Sequence, residues 1–181
     1  MSQPEFLLAN NTAYAVKGIV PTVNFQESLF IPKGEVLKDN KPRYIVVTCM
    51  DNRIDPIRAL GLEDAAIIRS AGGIAIDADV LRSLIVFQEL KQGKEIAVVH
   101  HTDCGALRIS TEEIHAGPKN IPKDLQFHEF RDVEEGVRRD VRWLKERVQE
   151  GVLLEGTTVM GYVIENETGK SYASLSEHHI A

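Results

Sequence analysis

Cysteine is nearly absent from this chain: Cys49 and Cys104 are the only two in 181 residues. Two thiols do not build a disulfide framework for a chain of this length, and a reducing compartment would leave them free. They are candidates for metal or redox chemistry, or for the plain burial that most free cysteines undergo. Long apolar runs are absent as well. None approaches the roughly 20 residues of a membrane span, and the opening MSQPEFLLANN lacks the charged start and apolar core of a secretory leader. No Lys/Arg cluster stands against the formal net charge of -6, so nucleic acid is not an expected partner, because phosphate binding needs a basic face. There is no internal repeat, low-complexity tract or Gly/Ser linker. The expectation is a soluble, cytoplasmic protein with neither membrane nor nucleic acid as partner.

What is present is ordinary for a globular chain, with 43% hydrophobic and 27% charged residues. The length suits a single domain spanning 1–181. Residues 1–40 are polar and broken by Pro4, Pro21 and Pro32. They read as an N-terminal arm with a short helix around Asn11 to Val20.

From Arg43 the pattern becomes regular. RYIVVT and AAIIRS (Ala65 to Ser70) are short apolar runs of the kind expected for strands buried on both faces, and EIAVVHH (Glu95 to His101) is a third. Between the second and third, Asp79 to Gln92 has helical spacing, with Val80, Leu84, Phe87 and Leu90 on one face, Asp79 placed to cap it and Gly93 following. Val133, Val137, Val141, Leu144 and Val148 mark a long amphipathic helix, read as a docked outer helix. TTVMGYVIENETGKSYASL ends in two alternating runs around Glu167 to Gly169, read as a hairpin or antiparallel edge. Strand, helix and strand in alternation predict an α/β fold: a mainly parallel sheet flanked by helices.

In such sheets, sites form beyond the carboxyl ends of the strands. Cys49 ends the first strand, His101 ends the third, and Cys104 follows in HHTDCGA. If those strands are close, two thiols and an imidazole converge, and these are ligands that zinc prefers. Three protein ligands leave the fourth tetrahedral position open, as in catalytic zinc sites. In an extended turn Asp51 and Arg53 point the same way as Cys49. Asp51 could then take the fourth metal position, or pair with Arg53 and orient water. A structural zinc site, with Asp51 as its fourth ligand, stays open as a rival. A redox pair is disfavoured by the lack of Cys-x-x-Cys, and a cysteine phosphatase by the short return to arginine in CGALR. His100 reads as a core residue, His115 and His128 as members of a polar loop, and His178 and His179 as an exposed tail.

The motifs Cys49-Met50-Asp51-Asn52-Arg53, IIRSAGGIA (Ile67 to Ala75) with DVLRSL after it, and VVHHTDCGA (Val98 to Ala106) resemble those of β-class carbonic anhydrases. The resemblance covers about Tyr44 to Leu107. It implies zinc on Cys49, His101 and Cys104, with Asp51 and Arg53 as a catalytic dyad. It also implies a homodimer or homotetramer in which the N-terminal arm embraces a partner subunit. The implied activity is reversible hydration of carbon dioxide to bicarbonate by zinc-activated water. Asn52 stands where serine is usual, His100 where larger members have glycine, and KPRYIVVT has no glutamine of the plant type. These departures resemble short members of the superfamily, among which hydrolases of carbonyl sulfide and carbon disulfide occur. The expected substrate is thus small and uncharged, either carbon dioxide or carbonyl sulfide. Gly72, Gly73 and Gly105 are read either as turn glycines or as places where backbone approaches it.

Overall fold

The computed structural model describes residues 44–62 and 65–174. The expected arm, its helix around 11–20, and His178 and His179 lie outside them. Among the described residues, five strands and four helices follow in the order β1 (Tyr44–Cys49), α1 (Pro56–Ala59), β2 (Ala65–Ser70), α2 (Ala78–Lys91), β3 (Glu95–His101), α3 (Thr111–Ala116), α4 (Val133–Gln149), β4 (Thr158–Ile164) and β5 (Ser171–Ala173). They form one sheet in the order β2-β1-β3-β4-β5. All pairings are parallel except β4 with β5. The fold is therefore the expected α/β sheet. No helix among the described residues is long and apolar enough to cross a membrane.

Side chains alternate across the sheet with period two, so each central strand feeds two cores. Ile45, Val47, Ile96, Val98, Val159 and Val163 pack with Val80, Leu84 and Phe87 of α2 and Val137, Val141 and Leu144 of α4. Val46, Ala97, Val99, Tyr162 and Ile164 pack on the other face with Ile54, Ala59, Leu60 and Leu62. Gly161 permits the α4 contact: a Cβ there would stand 2.3 Å from Val137 Cγ1.

Several expectations are corrected. β2 lies at the sheet edge with Ile67 41% exposed, so it is not a strand buried on both faces. The cap of α2 is Asp77, whose carboxylate accepts from the backbone N–H groups of Asp79 and Val80. At about 100° per residue Leu90 turns away from the stripe of Val80, Leu84 and Phe87, and it is exposed. Gln88 is buried instead, with its amide spanning Gly93 O, Thr157 Oγ1 and Leu154 N. The hairpin after Thr158 is as read, but its first strand is an inner strand parallel to β3, and of the hairpin's two strands β5 is the one at the edge. His115 belongs to α3, capped by Ser110 through Glu113 N, rather than to a loop. α1 was not anticipated, although Asp55-Pro56 is a capping residue followed by proline at the first helical position.

Candidate metal centre

β1 and β3 are hydrogen-bonded neighbours, with Thr48 opposite Val99, so their carboxyl ends open side by side. Cys49 closes β1 and His101 closes β3. Asp103, at φ 55, reverses the chain in the left-handed region and returns Cys104 toward them. The Cys49 and Cys104 sulfurs and a His101 ring nitrogen all lie within 4.8 Å of one another, with the two sulfurs 3.9 Å apart. Sulfurs on a tetrahedral zinc, each about 2.3 Å from it, would stand about 3.8 Å apart. All three residues are buried.

The imidazole gives a chemical test of fit. His101 Nδ1 lies 2.9 Å from Thr102 O and 3.0 Å from Asn166 Oδ1. A backbone carbonyl can only accept, so Nδ1 carries a proton, and in the neutral ring Nε2 then keeps its lone pair. That Nε2 is buried and has no hydrogen-bond partner among the described residues. A buried acceptor without a partner costs stability, and a metal ion beside the two thiols would satisfy it. The donor set fits zinc.

The thiols are electrostatically uneven. The hydrogen bond from Cys104 draws the Cys49 thiol well below the ordinary thiol range; burial opposes this and His101 assists it. Cys104, hydrogen-bonded to Cys49 and desolvated, is pushed up. The pair thus sheds one proton readily, and a divalent cation would displace the second.

Above the cysteines the Asp51 carboxylate meets Arg53. Arg53 Nε donates to both carboxylate oxygens at 3.0 and 3.1 Å, Nη2 donates to Oδ2 at 2.6 Å, and the backbone N–H donates to Oδ1 at 2.9 Å. These contacts bring the Asp51 carboxyl down to about 2, side-chain hydrogen bonding leading and burial opposing. Arg53 is anchored in turn: Nη1 donates to Asp103 Oδ2 at 2.8 Å and Nη2 to Asp103 O at 3.2 Å. The other Asp103 oxygen meets Arg108. Arg69 ties the end of β2 to the same turn, donating to Cys49 O at 2.8 Å and Ile54 O at 3.2 Å. A cleft of about 580 Å³ opens here, with Met50, Ile74, Ala106, Ile109 and Phe127 as apolar walls beside Asp51, Asn52 and Arg53.

Gly72 and Gly105 line this cleft. Gly73 serves the scaffold: at φ +72, a Cβ on it would stand 2.7 Å from Cys49 N. His100 points to the opposite side of β3 from His101, as read. Its Nε2 donates toward Gly73 O at 3.2 Å and lies 3.3 Å from Asp140 Oδ2, which accepts from Ala75 N at 2.8 Å. Its ring stacks on Phe130. Sequence reasoning missed Asp103, Asp140 and Asn166. The only signal for Asp140 was a carboxylate inside the apolar stripe of α4, and Asn166 carried none.

A carbonic anhydrase family model matches residues 44–139, more than half of the chain. The chain belongs to the β-class carbonic anhydrase family. β-Carbonic anhydrase 1 of Mycobacterium tuberculosis (strain H37Rv) is 30% identical over 175 residues, 94% of this chain and 96% of that protein. A carbon disulfide hydrolase of Acidianus sp. (strain A1-3) is 47% identical, but over 77 residues, 41% of this chain and 37% of its own length. Among solved structures, a carbonic anhydrase from Glaciozyma antarctica superposes with a TM-score of 0.72 at 35% identity, covering 90% of this chain and 99% of that one. β-Carbonic anhydrases and carbon disulfide hydrolases thus share the neighbourhood of this chain.

Proposed function

We propose that the chain catalyses zinc-dependent, reversible hydration of carbon dioxide to bicarbonate. The observation that carries this reading is the engagement of Asp51 with Arg53 beside two thiols and an unpartnered imidazole nitrogen. A carboxylate so held is kept from closing the metal site, which leaves a coordination position for chemistry. Zinc on Cys49, His101 and Cys104 would supply a Lewis acid that brings the pKa of water toward about 7.

The chain's own residues do the rest. Asp51 accepts a hydrogen bond from the reacting water and aims it, while Arg53 fixes Asp51 by its planar fork. Met50, Ile74, Ala106, Ile109 and Phe127 offer apolar walls suited to an uncharged linear substrate. Hydration adds water across one C=O bond and releases one proton as bicarbonate forms. We further propose that the protein acts in the cytoplasm as a homodimer or homotetramer; the exposed Met50 at the cleft mouth suits burial by a second subunit.

The second reading is hydrolysis of carbonyl sulfide, or of carbon disulfide, at the same residues. The 47% identity to the Acidianus hydrolase supports it, over the shorter span. Stopped-flow proton release with carbon dioxide, set beside hydrogen sulfide release from carbonyl sulfide and carbon disulfide, separates the two on one zinc-loaded preparation. Fast hydration with little sulfide supports carbonic anhydrase activity, and the reverse pattern supports the hydrolase. Bound zinc with no turnover in either assay would leave a structural metal site.

A further inference from the structure

The hairpin that closes the fold reaches back to the metal centre. Thr102 N donates to Ile164 O at 2.9 Å, and Asn166 N donates to Thr102 Oγ1 at 2.9 Å. These two bonds join the turn after β3 to the end of β4, and they set the Asn166 side chain behind the imidazole, 3.0 Å from His101 Nδ1. The hairpin turn is itself braced: Glu165 N donates to Lys170 O, Gly169 N to Glu165 O, and Thr168 Oγ1 to Glu165 Oε2. The amide orientation follows from the neighbouring bond. Thr102 O also contacts Nδ1, which must therefore carry a proton, so Asn166 presents its carbonyl oxygen to it and not its NH2 group.

We propose that Asn166 is a positioning residue for the metal ligand His101: it shares the Nδ1 proton with Thr102 O and so fixes both the ring plane and the tautomer that leaves Nε2 facing Cys49 and Cys104. The reasons are steric and electronic. One acceptor on Nδ1 leaves the ring free to swing about that bond, whereas two acceptors from the turns after two different strands define its orientation. A hydrogen-bond acceptor behind a ligating imidazole also raises its basicity, and losing such a partner weakens metal binding by roughly 10- to 100-fold in other sites. The inference rests on metal binding by the three ligands and is independent of the substrate.

The test is a zinc competition titration against a chromophoric chelator on the zinc-loaded protein, with Asn166→Leu and Asn166→Asp compared with the unsubstituted chain. Leucine keeps much of the volume and removes the acceptor; aspartate keeps an acceptor at the same place. Zinc affinity is expected to fall about tenfold in Asn166→Leu, the lower end of that range because Thr102 O remains, and to return in Asn166→Asp to within about threefold of the original. The proton NMR signal of His101 Nδ1–H should be retained in Asn166→Asp and broadened by solvent exchange in Asn166→Leu. Affinity unchanged in Asn166→Leu, or equally lost in both variants with the Nδ1–H signal intact, overturns the inference. If Asn166→Leu does not fold, the aspartate variant decides alone: tight zinc and a retained signal support the proposal, and weak zinc with the signal intact overturns it. Failure of the unsubstituted chain to bind zinc would instead remove the metal reading itself.

Discussion

Asp51 Oδ2 stands 3.9 Å from His101 Nε2 while three nitrogens of Arg53 hold the same carboxylate. The acid is thus adjacent to the candidate ligand atoms and restrained from joining them. The two roles left open for Asp51 by the sequence, ligand and water-orienting group, differ by whether this grip is intact.

Replacing Asp51 by Asn should therefore leave zinc bound and reduce turnover about 10²- to 10⁴-fold, the range for loss of a positioned proton acceptor. Elemental analysis and stopped-flow hydration on one preparation check this. Unchanged turnover would remove Asp51 from the mechanism.

Cys49→Ser, His101→Ala and Cys104→Ser should each abolish stoichiometric zinc, because each removes one of the three donors that converge within 4.8 Å of one another among the described residues. A variant that keeps full zinc by elemental analysis excludes that residue as a ligand.

The Asp51 carboxyl is depressed from 3.8 to about 2. The sign follows by linkage: a lowered carboxylate adds stability above its unfolded value, and that increment disappears as pH falls through the folded one. Between pH 3.8 and about 2 the unfolding free energy of the native chain should thus fall more steeply than that of Asp51→Asn. Urea titrations of both proteins at several acidic pH values measure the difference, and parallel profiles would contradict it.

Gly161→Ala should lower stability by about 1–3 kcal/mol through overpacking, since its Cβ would fall 2.3 Å from Val137 Cγ1 and 3.0 Å from Val141 Cγ2. The damage lies where α4 meets the sheet, so a drop in the urea midpoint is expected with zinc stoichiometry kept. Loss of zinc at unchanged stability would refute this assignment.

Much of this molecule was legible in one dimension. RYIVVT and EIAVVHH announce buried strands because both faces of a central parallel strand must be apolar, and their ends locate Cys49 and His101. AAIIRS misleads by the same rule, since its composition resembles that of an inner strand although β2 sits at the edge. Asp77 and Asp79 compete for one cap, and spacing alone does not decide between carboxylates two residues apart. Asn166 and Asp103 were invisible for a different reason. Each acts through a bond to a side chain distant in sequence, 65 residues for Asn166 to His101 and 50 for Arg53 to Asp103, and no local pattern encodes such pairs.

The two sulfurs facing each other at 3.9 Å come from positions 55 apart in sequence. Any ion gripping both is a covalent-like staple across that length of chain, running from the end of β1 and enclosing α1, β2, α2 and β3. In the chain-entropy treatment of cross-links, closing a loop of that size disfavours the unfolded ensemble by roughly 4 kcal/mol. Chelation should then cost the protein more than its chemistry: the stripped chain is expected to unfold at lower urea and to expose the half containing β1 to β3 to protease first.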